Sequence, residues 1–219
     1  MHFAILVEDV SGKTMLNILV PKILGSDTEH TFKVYPYKGI GHIPKGLNPK
    51  TDPEKRILLD QLPRLLAGFG KAFAGYGKAY AAAVIVVCDL DDRNLKVFSQ
   101  ELGAVLASAR TAPKTAFCLA IEEGEAWLLG DIPAIKTAFP GAKDAVLAGY
   151  ENDSICGTWE RLADAVYSGG ASALKKQVYH VAGAEKSRWA REISPHMDVD
   201  NNQSPSFGAF VAALRPAGP

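Results

Sequence analysis

In the first half of the chain, short apolar segments alternate with longer segments in which apolar residues recur every three or four positions. Residues 3–7, 83–88 and 115–121 are apolar runs, typical of strands buried on both faces of a parallel sheet. Residues 30–37 alternate between polar and apolar side chains, which indicates another strand. The apolar pattern therefore predicts a sheet of about four strands.

Amphipathic segments separate these predicted strands. The spacing of apolar residues predicts helices over 11–25, 57–69 and 95–110, the first with Ser11 as its N-cap. Asp52-Pro53 is a typical helix start and places the beginning of the second helix there. Strands that alternate with helices predict an α/β fold, with a mainly parallel sheet flanked by helices.

The rest of the chain has the periodicity of helices. Helical segments are predicted near residues 131–138, 159–168, 184–193 and 206–214. We therefore expect an α/β domain over residues 1–125 and a mostly helical C-terminal extension over 126–219, packed on that domain.

Composition and charge exclude several classes of protein. Among the 219 residues, 24 are basic and 24 are acidic, so net charge gives no overall attraction to nucleic acid or to anionic lipid. The longest apolar stretch, residues 79–88, is too short for a membrane span, which needs about 20 residues. The sequence starts without a signal-peptide pattern, and its three cysteines lack zinc-ligand spacing. These features predict a cytoplasmic protein that does not bind membranes.

Residues 11–14, Ser-Gly-Lys-Thr, match the end of a phosphate-binding loop, which would indicate an ATPase. Such a loop needs a glycine five positions before its second glycine, so that backbone N–H groups can face the phosphates. Val7 stands at that position, and the carboxylates of Glu8 and Asp9 would repel a triphosphate. The tetrapeptide is better explained as the first turn of a helix, where Lys13 could steady an anion.

Acidic residues follow several predicted strands. Glu8 follows the first strand, and Asp89, Asp91 and Asp92 follow the most apolar one. Because the carboxyl ends of parallel strands meet at one edge of a sheet, these acids are expected to lie together. Carboxylate oxygens suit Mg²⁺ or Mn²⁺, and the four residues are therefore candidate metal ligands. A solvated acidic loop is the alternative.

Two further groups are candidates for the same edge. Glu122, Glu123 and Glu125 follow the last predicted strand, although they could instead begin a helix and interact with its dipole. Lys186 lies on a predicted helix, where it could neutralise a phosphate. A solvated basic helix face is the alternative for Lys186.

The positions of three acids resemble the Toprim domain, the catalytic module of topoisomerases, DnaG-type primases and OLD-family nucleases. Glu8 stands in Val-Glu-Asp-x-Ser-Gly after the first strand, and Asp89-x-Asp91 follows a later one. The resemblance covers residues 1 to about 122. It implies that Glu8 acts as a general acid/base or joins metal binding, and that Asp89 and Asp91 hold Mg²⁺ for phosphodiester chemistry.

A second resemblance covers almost the whole chain. Residues 125–131 (Glu-Ala-Trp-Leu-Leu-Gly-Asp), 186–195 and 204–207 are similar to the DUF4276 group of Toprim-like proteins, often found at bacterial defence loci with ATPase partners. This resemblance favours Glu125, which stands at the family's Glu-Ala-Trp. The chain departs from the usual pattern at Asp9, where a glycine more often follows the glutamate.

These resemblances imply a Mg²⁺- or Mn²⁺-dependent nuclease that acts on DNA or RNA, with Glu8, Asp89, Asp91, Glu125 and Lys186 as its catalytic residues. One alternative is a catalytically silent or partner-activated subunit that binds nucleic acid or an ATPase in a defence complex. Another is a sugar-nucleotide transferase, since these enzymes also place Asp-x-Asp after a buried strand, but that would leave Glu8 without a role. Whether the chain forms a homo-oligomer stays open.

Overall fold

A computed structural model of the protein describes residues 1–44, 56–76, 81–154 and 157–215. Over these residues the strands are β1 (His2–Val7), β2 (Thr31–Pro36), β3 (Ala82–Asp89) and β4 (Lys114–Ala120). All neighbouring strands are parallel, in the order β2-β1-β3-β4. The predicted α/β fold with a parallel four-stranded sheet flanked by helices is confirmed.

Helices connect the strands and form the C-terminal part of the chain. The helices are α1 (Val10–Leu24), α2 (Leu58–Ala74), α3 (Leu95–Ser108), α4 (Glu125–Leu129), α5 (Ile132–Ala138), α6 (Asp144–Ala148), α7 (Thr158–Val166), α8 (Gly170–Leu174), α9 (Tyr179–Ile193) and α10 (Pro205–Leu214). A short 3₁₀ helix, Ser194–His196, follows α9. The sequence pattern misses α6 and α8, because a helix of five residues is too short to show a period of 3.6. The alternative that the acids after the last strand begin a helix holds for Glu125, the first residue of α4.

The start of α1 differs from the prediction. Asp9, not Ser11, is the N-cap: its carboxylate accepts hydrogen bonds from the backbone N–H of Gly12 at 2.7 Å and from the Ser11 hydroxyl at 2.5 Å. The prediction of Ser11 as the cap is wrong because the helix already begins at Val10. The predicted start of α2 at Asp52-Pro53 lies outside the described residues.

Successive strand residues face opposite sides of the sheet, and both sides are buried. In β3, Ile85 and Val87 face a core formed with α1 and the C-terminal helices, whereas Val84 and Val86 face α2 and α3. Both faces are covered, which explains why the strand reads as a continuous apolar run. The first core continues through the helical C-terminal part, where Trp127, on α4, is fully buried.

Candidate active site

Glu8 and Asp89 meet at the carboxyl edge of the sheet, because β1 and β3 are neighbouring parallel strands. The backbone N–H of Asp89 donates a hydrogen bond to Oε2 of Glu8 at 3.3 Å. Burial raises the pKa of Glu8 to about 7, although this hydrogen bond acts in the opposite direction. Burial, together with the nearby Glu8 carboxylate, also raises the pKa of Asp89 well above its ordinary value. The two strand ends thus hold carboxylates that are poorly compensated.

Lys186, on α9, places an ammonium group among these acids. Its Nζ lies 3.2 Å from the carboxylate of Glu125 and 3.4 Å from that of Glu123. Burial opposes the charge of Lys186, but the carboxylates of Glu125 and Glu123 outweigh it and raise the pKa of the ammonium. Even so, burial raises the pKa of Glu125, and that of Glu123 to about 8. One ammonium group therefore compensates the surrounding acids incompletely.

The acids and the lysine line a common cavity. It has a volume of ≈ 30 Å³ at the carboxyl edge of the sheet. Its charged lining residues are Glu8, Asp9, Asp89, Glu125 and Lys186. Apolar side chains that include Val7, Val87 and Trp127 line the rest. Space of this size holds about one or two water molecules, so the charged groups share a confined volume.

The remaining predicted residues lie around this cavity rather than in its wall. Asp91 is partly exposed and forms an ion pair with Arg93 at 2.5 Å, although it lies close enough to Glu8 to raise the pKa of that residue. Asp92 is exposed. Glu122 turns away and accepts a hydrogen bond from the backbone N–H of Thr158 at 2.7 Å, which anchors the start of α7. The structure thus gathers Glu8, Asp89, Glu125 and Lys186, with Asp91 at the rim.

Sequence reasoning named Glu123 as a candidate but favoured Glu125, and it missed the role of Asp9 as a helix cap. Glu123 contacts Lys186, and its Oε2 is buried without a hydrogen-bond partner among the residues that the structure describes. Asp9 occupies the N-terminus of α1, and the signal for this was its position three residues before Gly12, the usual spacing of a capping side chain. The helix end at which Lys13 was expected to steady an anion already binds the protein's own carboxylate.

Gly12 allows α1 to approach β1 closely enough to shape this wall of the cavity. A Cβ atom at position 12 would lie 2.6 Å from Cγ2 of Val7 and 3.1 Å from Oδ1 of Asp9. A side chain there would therefore clash with the strand and disturb the cap. The glycine that looked like part of a phosphate loop serves helix–strand packing.

The chemistry of the donors suits a hard divalent cation, but their present arrangement does not form a metal site. Carboxylate oxygens are the ligands that Mg²⁺ prefers, and the unpartnered Oε2 of Glu123 is a buried acceptor. Among the described residues, however, no group of three or more His, Cys, Asp or Glu side chains is arranged to hold a metal ion. Lys186 instead supplies the positive charge within the cluster.

The fold and site define an α/β protein with a buried acidic cluster at the carboxyl edge of a parallel sheet. A family model described as "Domain of unknown function (DUF4276)" matches residues 7–215, and the chain belongs to this family. The resemblance of the sequence to that group is thereby confirmed. No curated protein and no solved structure matches the chain, and the likeness to Toprim domains stays a prediction. No helix in the described part of the chain has the length and apolarity of a membrane span.

Proposed function

We propose that this protein is a Mg²⁺- or Mn²⁺-dependent phosphodiesterase of Toprim type that cleaves DNA or RNA, with a role in bacterial defence. One observation carries the proposal: Glu8, Asp89 and Glu125 come from three separate segments of the chain and converge on one cavity. Buried carboxylates that lack full compensation cost folding free energy, so their convergence is typical of a functional site.

The residues of the cluster divide the chemical tasks. Glu8 and Asp89, with Asp91 at the rim, are the residues that would hold the cation, which when bound would supply positive charge to a phosphodiester. Oε2 of Glu8 accepts the N–H of Asp89, which leaves Oε1 to exchange a proton. Without a cation, its pKa of about 7 lets this carboxyl bind or release a proton near neutral pH. Lys186 would neutralise a phosphate oxygen, and exposed Asp92 has no direct part.

The proposal is tested by incubating the purified protein with plasmid, linear DNA and tRNA in Mg²⁺, Mn²⁺ or EDTA. We expect cleavage with the divalent cations and none in EDTA. Glu8→Gln and Asp89→Asn should each lower the rate about 100-fold or more. Asp144→Asn removes a carboxylate of an exposed ion pair with Lys136 and is the matched control that should cleave normally. Equal cleavage by all variants would show a contaminating nuclease and refute the proposal.

A second candidate function rests on the arrangement of the acids around Lys186 rather than around a metal site. In this case the isolated chain is catalytically inactive and acts as a subunit that binds nucleic acid or an ATPase in a defence complex. Co-expression with an ATPase encoded beside its gene should then give a stable complex, and cleavage should appear in the complex alone. An active isolated chain would refute this candidate.

A further inference from the structure

Lys186 stands where a cation would be expected in the acidic cluster. Its ammonium group lines the cavity and contacts two carboxylates, at 3.2 Å on Glu125 and 3.4 Å on Glu123. We propose that Lys186 is an exchangeable internal counter-ion, which closes the metal-free site and leaves the carboxylates when a divalent cation binds. This inference rests on the proposed function and adds how the same site is regulated.

Charge is the first reason for an exchange. A cation held by Glu8 and Asp89 would share the cavity with the ammonium of Lys186, because all three side chains line it. Like charges within a few ångströms repel strongly in a confined, partly desolvated space. A divalent cation also offers the carboxylates twice the charge of the ammonium. Binding of the cation therefore favours departure of the lysine.

Space is the second reason. Mg²⁺ usually retains several waters, whereas the cavity of ≈ 30 Å³ holds about one or two. The backbone of α9 is fixed, since Trp189, Ala190 and Ile193 are all buried and the helix packs against α1. The Lys186 side chain, in contrast, has a flexible four-carbon stem and is 19% exposed. Among the residues that line the cavity, Lys186 is therefore the one whose side chain can move with the least loss of stability.

The exchange can be measured on the unaltered chain by the reactivity of its lysines. The protein is treated briefly with an acetylating reagent in EDTA, Mg²⁺ or Mn²⁺ at constant ionic strength, and modification at each lysine is measured by peptide mass spectrometry. We expect Lys186 to be protected in EDTA and modified several-fold faster with either cation. Lys136, in its exposed ion pair with Asp144, is the internal control and should not change.

A second measurement compares two variants of α9. Manganese is titrated calorimetrically into the protein without nucleic acid. Lys186→Met removes the internal competitor, and the dissociation constant for Mn²⁺ should fall about tenfold or more. Arg188→Met is the matched control, because Arg188 pairs with Glu185 and Glu192 on its own helix. The Arg188→Met variant should bind Mn²⁺ with the same affinity as the unaltered chain. If Lys186→Met does not fold, the acetylation experiment decides alone.

The outcomes separate the two proposals. Binding of Mn²⁺ with no change in Lys186 reactivity, or weaker binding by Lys186→Met, overturns the exchange and leaves the metal-dependent activity standing. If Mn²⁺ binds neither the unaltered chain nor Lys186→Met, the exchange and the metal-dependent function are both overturned. Exposure of Lys186 by metal supports the exchange even where no nucleic acid is cleaved, and in that case the nuclease proposal alone fails.

Discussion

The carboxylate of Glu8 is expected to destabilise the metal-free protein at neutral pH. Burial raises its pKa from 4.5 to about 7, so the folded chain binds this proton more tightly than the unfolded chain does. The stability linked to this proton is fully present below pH 4.5 and is lost as the pH rises through 7. The rise in pKa corresponds to about 3 kcal/mol, which solvent screening of a partly buried group reduces to about 1–2 kcal/mol.

The variant Glu8→Gln measures how much the Glu8 carboxylate lowers the free energy of unfolding. Glutamine has nearly the same shape, carries no charge at any pH, and keeps a carbonyl oxygen that can accept the N–H of Asp89. Urea unfolding in EDTA should show the variant about 1–2 kcal/mol more stable than the unaltered chain at pH 8, with the difference vanishing towards pH 4.5. Glu101→Gln makes the same change on the exposed face of α3 and is the control. A Glu8→Gln variant that is no more stable at pH 8 would refute the electrostatic argument.

Other substitutions test the packing around the site. Lys186→Met should lower the unfolding free energy by about 3–5 kcal/mol at pH 8, because two buried glutamates lose their partner, and by less at pH 5, where they can take up protons. Ser206→Ala should cost about 1–3 kcal/mol in urea unfolding, since the Trp127 indole N–H loses its acceptor at 2.9 Å. Gly12→Ala should cost about 1–3 kcal/mol and lower the Tm, because the new methyl group meets Val7. Unchanged stability in any of these variants would contradict the contact described for it.

Local patterns allowed prediction of the strands and of the meeting of Glu8 with Asp89. Continuous apolar runs mark strands that are buried on both faces, and parallel strands bring their carboxyl ends to one edge, so the two acids follow from the order of elements alone. No side-chain contact had to be known for this prediction. These two positions depend on little more than the register of β1 with β3.

The rest of the site depends on features that the sequence pattern does not carry. Glu122 and Glu123 are adjacent, yet their side chains have different partners. The backbone at Glu122 is left-handed, with a φ of 60°. Glu123 contacts Lys186, whereas Glu122 accepts the N–H of Thr158 at the start of α7. Lys186 reaches Glu125 because α9 packs on α1, a tertiary contact between distant segments. Which acid contacts Lys186 is therefore decided by turn geometry and helix packing.

Asp9 places a carboxylate at the N-terminus of α1, where a phosphate loop would present free backbone N–H groups. Its carboxylate already satisfies the free N–H of Gly12 and the Ser11 hydroxyl, so the positive end of α1 offers little to a phosphate. An approaching anion meets a negative rim unless a cation accompanies it. The tetrapeptide that resembles the end of a phosphate loop therefore begins beside a carboxylate, and this helix end is poorly suited to a free phosphate.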